Sequence, residues 1–168
     1  MKHTRTRGIA VAASIIVLAS ISACSSSSST GGSHGLASAK SATLKLETQI
    51  ASFVPDAMVK RTHQTTTSKV IYPCLGHSGQ SYWPGSETVS LKQGVDTDAV
   101  LAAIASNWTN KSGWTAFKST GADGSASLSI KSIKGQSFTV EFVDGPQLSI
   151  SALSTCFPSD GLAGKSSY

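Results

Sequence analysis

The sequence predicts an α+β domain: a two-layer sandwich of mostly antiparallel β-sheet with two helices packed on one face, in the order α-β-β-α-β-β-β-β. Three observations predict it. Four consecutive segments of the C-terminal third alternate apolar and polar residues and are divided by turn signals. Two earlier segments carry apolar residues at helical spacing. The chain has 168 residues, enough for one core, and its first forty residues do not have the pattern of a fold.

Those first residues read as an export signal. Met1 to Gly8, "MKHTRTRG", is short and basic, and Ile9 to Ile21 is an apolar run of 13 residues. A stable membrane span needs about 20 residues, so the run fits the hydrophobic stretch of a secretory signal. Ile21-Ser22-Ala23-Cys24 follows, an aliphatic residue, two small residues and a cysteine. This resembles a bacterial lipobox. The resemblance implies that residues 1–23 are a lipoprotein signal peptide and that Cys24 is the lipid attachment point. A diacylglyceryl chain pair on its sulfur gives lasting membrane anchoring, since each buried methylene contributes about 0.8 kcal/mol. Residues 24–42, rich in Ser and Gly, then read as a tether that includes His34.

The domain proper is expected at residues 43–160. Leu46, Ile50, Phe53 and Val54 fall on one helical face, and Pro55 ends that helix. "THQTTTSKVIYPCLG" reads as a strand centred on Lys69 to Cys74, and "ETVSLKQG" as a short strand with Val89 and Leu91 on one face. Asp96 is a helix N-cap with Asp98 in the first turn; Val100, Leu101, Ile104 and Trp108 form its stripe, and Gly113 stops it. Strands follow in "GWTAFKST", "SASLSIKSI", "QSFTVEFVDG" and "PQLSISALSTCF". Ala122-Asp123-Gly124, Lys134-Gly135 and Asp144-Gly145 mark the turns between them. One apolar face per strand means a sheet covered on one side and wet on the other. Residues 161–168 read as a flexible tail.

Cys74 and Cys156 are the two remaining cysteines. In an exported chain an even pair reads as a disulfide, here closing a long loop. A metal or redox pair is the alternative, but no CxxC or zinc spacing is present, and no metal or other cofactor is expected.

Charge narrows the function. Removing Lys2, Arg5 and Arg7 from the 14 basic residues leaves 11 against 9 acidic ones, a charge of +2 for the mature chain. Without a basic cluster, nucleic acid is not an expected partner. No catalytic set emerges. His63 and His77 lie among small polar residues, the acids are dispersed, and Ser78 beside His77 lacks a nucleophile-elbow motif. Tyr82 and Trp83, in the loop "SYWPG", read first as rings that close the open end of a small core; if exposed, they are the candidate contact surface for a glycan, peptide or lipid.

Taken together, the signal, the lipobox, a helix ending in "FVP", a strand carrying "YPC", the "VLAAIASNW" passage and a last strand ending in "STCF" resemble small lipoproteins of actinobacteria, including mycobacterial LppA-like ones. The resemblance implies placement on the outer face of the cytoplasmic membrane, in the cell envelope, with no assigned activity. The expected function is a non-enzymatic, membrane-anchored lipoprotein. Its domain binds or scaffolds an envelope protein, glycan or lipid. The alternative is a lipid or small-ligand carrier with an apolar cavity between sheet and helices.

Overall fold

A computed structural model describes residues 31–120, 124–159 and 162. The signal segment, Cys24, residues 24–30 of the expected tether and the turn residues Ala122 and Asp123 lie outside the described residues. The elements are helices α1 (Gly31–Ala51) and α2 (Thr97–Thr109) and strands β1 (Val59–Thr65), β2 (Tyr72–Pro73), β3 (Gln80–Tyr82), β4 (Pro84–Leu91), β5 (Trp114–Thr120), β6 (Ala126–Ser132), β7 (Ser137–Val143), β8 (Gln147–Leu153) and β9 (Phe157–Pro158). A single 3-10 turn, Asp56–Met58, links α1 to β1.

The expected two-layer α+β arrangement is present. Six antiparallel strands in the order β1-β4-β8-β7-β6-β5 form the main sheet, with α1 and α2 packed against it. Period-2 alternation places Val89 and Leu91, Leu148 and Ile150, Phe138 and Val140, and Leu128 and Ile130 on the helix side, all buried. Ile50 of α1, Val54 in the turn after it, and Val100, Leu101, Ile104 and Trp108 of α2 close over them. Among the described residues no element packs on the opposite face, which is rich in small hydroxyls. One cross-strand row runs Thr65, Ser86, Ser151, Thr139, Ser129 and ends at Phe117.

α2 follows its sequence signals. Asp96 caps it, its carboxylate accepting from the Ala99 N–H at 3.1 Å, and Gly113 lies just beyond its end at positive φ. Lys111 ties the two helices together. Its Nζ donates to Gln49 Oε1 of α1 at 3.0 Å and sits 3.9 Å from the Trp108 ring centroid. Burial pulls the Lys111 ammonium below its usual pKa.

α1 departs from expectation. It begins at Gly31, so residues 31–42 are helical and the tether reading does not hold for them; His34 falls within the helix. The buried positions Ala39, Thr43, Glu47 and Ile50 fall on one face, and in the upper part of that face the fully buried residues are small, with Leu36 and Leu44 partly buried against the second core. It packs by close approach instead: a side-chain carbon on Gly35 would lie 3.3 Å from Phe157 Cβ.

Three very short strands, β2-β3-β9, form a second sheet. It continues the main one. β3 runs through Trp83 into β4, and β8 runs through Ser154 to Cys156 into β9, so the same two chain segments pair in both sheets. The junction is locked in both directions: Ser154 N donates to Trp83 O at 3.0 Å, and Trp83 N donates to Ser154 Oγ at 2.9 Å. Of the strand expected at Lys69–Cys74 only Tyr72–Pro73 pairs, while the polar segment Val59–Thr65 forms the edge strand β1. Leu162, expected in a free tail, is buried in a second small core with Ala39, Trp83 and Phe157.

Candidate functional site

Cys74 and Cys156 form the expected disulfide, with Cα atoms 6.2 Å apart. Cys74 follows β2 and Cys156 precedes β9, so the bond staples the small sheet, not the ends of the main one. A structural disulfide belongs to a chain folded in an oxidising compartment outside the cytoplasm. No helix among the described residues is long and apolar enough to cross a membrane.

The two aromatic candidates part company. Trp83 is buried, and its indole Nε1–H donates to Ser68 O at 3.0 Å, so it cannot serve as a contact surface. Lys40 of α1 lies 5.2 Å from its ring centroid. Trp83 anchors the second core where the chain passes from one sheet to the other. Tyr82 points the other way along the strand. It is half-buried and stacks on Tyr72, with ring centroids 5.6 Å apart and planes 27° off parallel. His77 and Ser78 lie exposed in the Cys74–Gln80 turn, where His77 N donates to Cys74 O. His63 is exposed on β1 opposite Thr88. Among the described residues, none of these three is hydrogen-bonded to an acid.

It does bring together two acids that the sequence shows only as dispersed. Glu47 of α1 and Glu87 of β4 are both buried beneath the helix. Gln64 of β1, the cross-strand neighbour of Glu87, links them. Its Nε2 donates to Glu47 Oε2 at 3.0 Å and Glu87 Oε2 at 3.2 Å, and also lies 2.7 Å from Leu44 O. Thr48 Oγ1 completes the group at 3.4 Å from Glu87 Oε2. One amide has two hydrogens for these acceptors, so the cluster is short of donors. Glu47 Oε1 has no hydrogen-bond partner among the described residues.

Desolvation therefore dominates. It pushes the Glu47 carboxyl up to about 7, against the lowering effect of the Gln64 bond and with a smaller push from the Glu87 charge. Burial raises Glu87 as well, opposed by Thr48. A protonated Glu47 removes one of two like charges from a dry site. Glu47 is enclosed by α1 above and by Gly85 and Trp83 below, out of reach of a substrate. Glu87 borders a surface groove of about 270 Å³ with Thr48, Asp56, Val59 and Thr62. Among the described residues no group of His, Cys, Asp and Glu is arranged to hold a metal ion.

The space between helices and sheet, which a carrier would need hollow, is occupied by side chains. Phe53 meets Trp108 edge-on at 6.5 Å, Trp108 meets Trp114 at 4.6 Å, and Trp114 lies 6.0 Å from Phe138. Set against protein-family models, curated proteins and solved structures, the chain matches none.

Proposed function

We propose that this chain is a non-enzymatic lipoprotein of the cell envelope, acylated at Cys24 and held on the outer face of the cytoplasmic membrane, whose disulfide-stapled domain binds or scaffolds another envelope component. The observation that carries the reading is the sequence Ile21-Ser22-Ala23-Cys24, placed directly after a basic segment and an apolar run of signal length. The Cys74–Cys156 bond supports it, because it calls for the oxidising side of a membrane. The resemblance to actinobacterial lipoproteins supports the same placement.

The test is intact mass of the membrane-extracted protein together with fractionation of a Cys24→Ala variant. The expected result is loss of residues 1–23, acyl mass on Cys24, and release of the variant from the membrane. A variant that stays membrane-bound refutes lipid anchoring. Crosslinking in the envelope, followed by identification of the adduct, tests the scaffolding half of the proposal.

A further inference from the structure

Among the described residues, nothing covers the outer surface of the small sheet at Tyr72. Tyr72 and Tyr82 stack across β2 and β3 on that surface, and Tyr72 is 47% exposed. Val70, two residues before Tyr72, is 46% exposed, and Leu75, in the turn after Cys74, is 96% exposed. Leaving a leucine this bare, three residues along the chain from Tyr72, forgoes burial worth about 1.5–3 kcal/mol for the leucine alone. Clustered exposure of this kind marks a surface that meets something apolar.

Two further observations choose the occupant. The first is where the chain enters. α1 begins at Gly31, seven peptide units after Cys24, a reach of no more than about 25 Å even fully extended. One helical turn later Gly35 lies against Phe157 of β9, and β9 is separated from β2 by β3 alone. Two strand spacings are about 10 Å. The bare residues thus lie at the end of the domain where α1 begins. The second is charge. Residues 66–86, which carry β2, β3 and the turns around them, contain no Asp or Glu, and the exposed Lys69 lies among them. An apolar surface with tyrosines and a lysine in an acid-free segment has the composition of a membrane interface.

We infer that the tip formed by Val70, Tyr72, Leu75 and Tyr82 docks onto the bilayer surface beside the lipid anchor, with Leu75 inserted among the headgroups and the domain held in one orientation. The inference rests on the proposed acylation of Cys24. It makes the anchor a two-point attachment, and it turns the rest of the domain, including the hydroxyl face of the main sheet, away from a freely tumbling arrangement.

The test places a diazirine analogue of leucine at position 75 in the full lipidated chain, in vesicles of phosphatidylethanolamine and phosphatidylglycerol. Phe117, half-exposed on the far edge strand β5, is the control position. Leu75 makes little contact with the fold, so the analogue leaves folding intact. On illumination, position 75 is expected to yield several times more lipid adduct than position 117, and to lose that excess in vesicles lacking the anionic lipid. Equal yields on a chain that floats with the vesicles overturn the docking and leave the anchoring reading standing. A chain that does not float with the vesicles overturns both. An adduct at position 75 with a protein instead of lipid, in native membranes, overturns the docking in favour of a protein partner.

Discussion

Glu47 of α1 rests directly on Gly85 of β4. A side-chain carbon at Gly85 would collide with Glu47 Oε1 and would come within 2.7 Å of the Trp83 ring. The absence of a side chain in the strand is what allows a buried carboxyl to sit between helix and sheet.

That contact makes Gly85→Ala a disruptive change despite its small size. Overpacking of a closed site costs about 1–3 kcal/mol. Chemical denaturation should show a lower midpoint with an unchanged slope. A Gly85→Ala chain as stable as the parent would mean that α1 does not sit this close to β4.

Glu47 also sets a pH dependence with a definite sign. Its pKa is about 7 in the folded chain against 4.5 for the free group. The folded state therefore holds a proton that the unfolded chain has released. The stabilisation is complete below about pH 4.5 and is lost as pH rises through about 7. The expected loss is on the order of 2 kcal/mol between pH 5 and pH 8. Glu47→Gln, which keeps the shape without the charge, should flatten that decline and be more stable than the parent at pH 8. Melting curves of both chains across this range check it, and parallel curves would rule out Glu47 as the source.

Ser154 offers a test of the junction between the sheets. Its Oγ accepts from Trp83 N at 2.9 Å and donates to Thr155 O at 2.8 Å. Ser154→Ala leaves a buried N–H without its partner, at a cost of about 1–3 kcal/mol. Hydrogen exchange should show the Trp83 amide losing protection while the amides of β6 and β7 keep theirs.

The disulfide closes a loop with a sequence separation of 82. In the chain-entropy account its removal costs about 4–5 kcal/mol. A Cys74→Ser, Cys156→Ser chain should melt well below the parent, and the small sheet should lose amide protection before the main one. Equal melting of the two chains would show that the bond contributes nothing to stability.

The main sheet and α2 were readable in the sequence because their signals are local and strong. Leu128 and Ile130, Phe138 and Val140, and Leu148 and Ile150 alternate with polar residues, and Asp144 and Gly145 supply the positive φ of their turn, at 50° and 76°. The first half of α1 was not readable, because Gly35, Ala39 and Thr43 pack through smallness and leave only Leu36 and Leu44, eight residues apart, as large apolar positions. Strand β1 was missed because an edge strand exposed along most of its length is polar, and "KRTHQT" looks like a loop. Strands of two or three residues, such as β2 and β9, are too short to carry any period.

The candidate site divides in the same way. Cys74 and Cys156 were legible by elimination, being the only pair left. Trp83 was ambiguous, since a tryptophan beside a proline can close a core or face outward, and the pairing with Ser154 decides for the core. The Glu47–Glu87 pair is assembled by tertiary packing from elements forty residues apart. Its one trace in the sequence is phase: Glu87 shares the parity of Val89 and Leu91, and Glu47 stands three residues before Ile50.

The length of α1 has a mechanical consequence. The helix lies across both cores, its first half on Phe157 and Trp83 and its second half on Val89 and Leu148. A pull arriving from the N-terminal side loads it along its axis, as a rod drawn out of a groove, and no strand is peeled from its neighbour. Displacing the helix would bare Trp83 and Phe157 at one end and Val89 and Leu148 at the other, so α1 couples the small core to the large one.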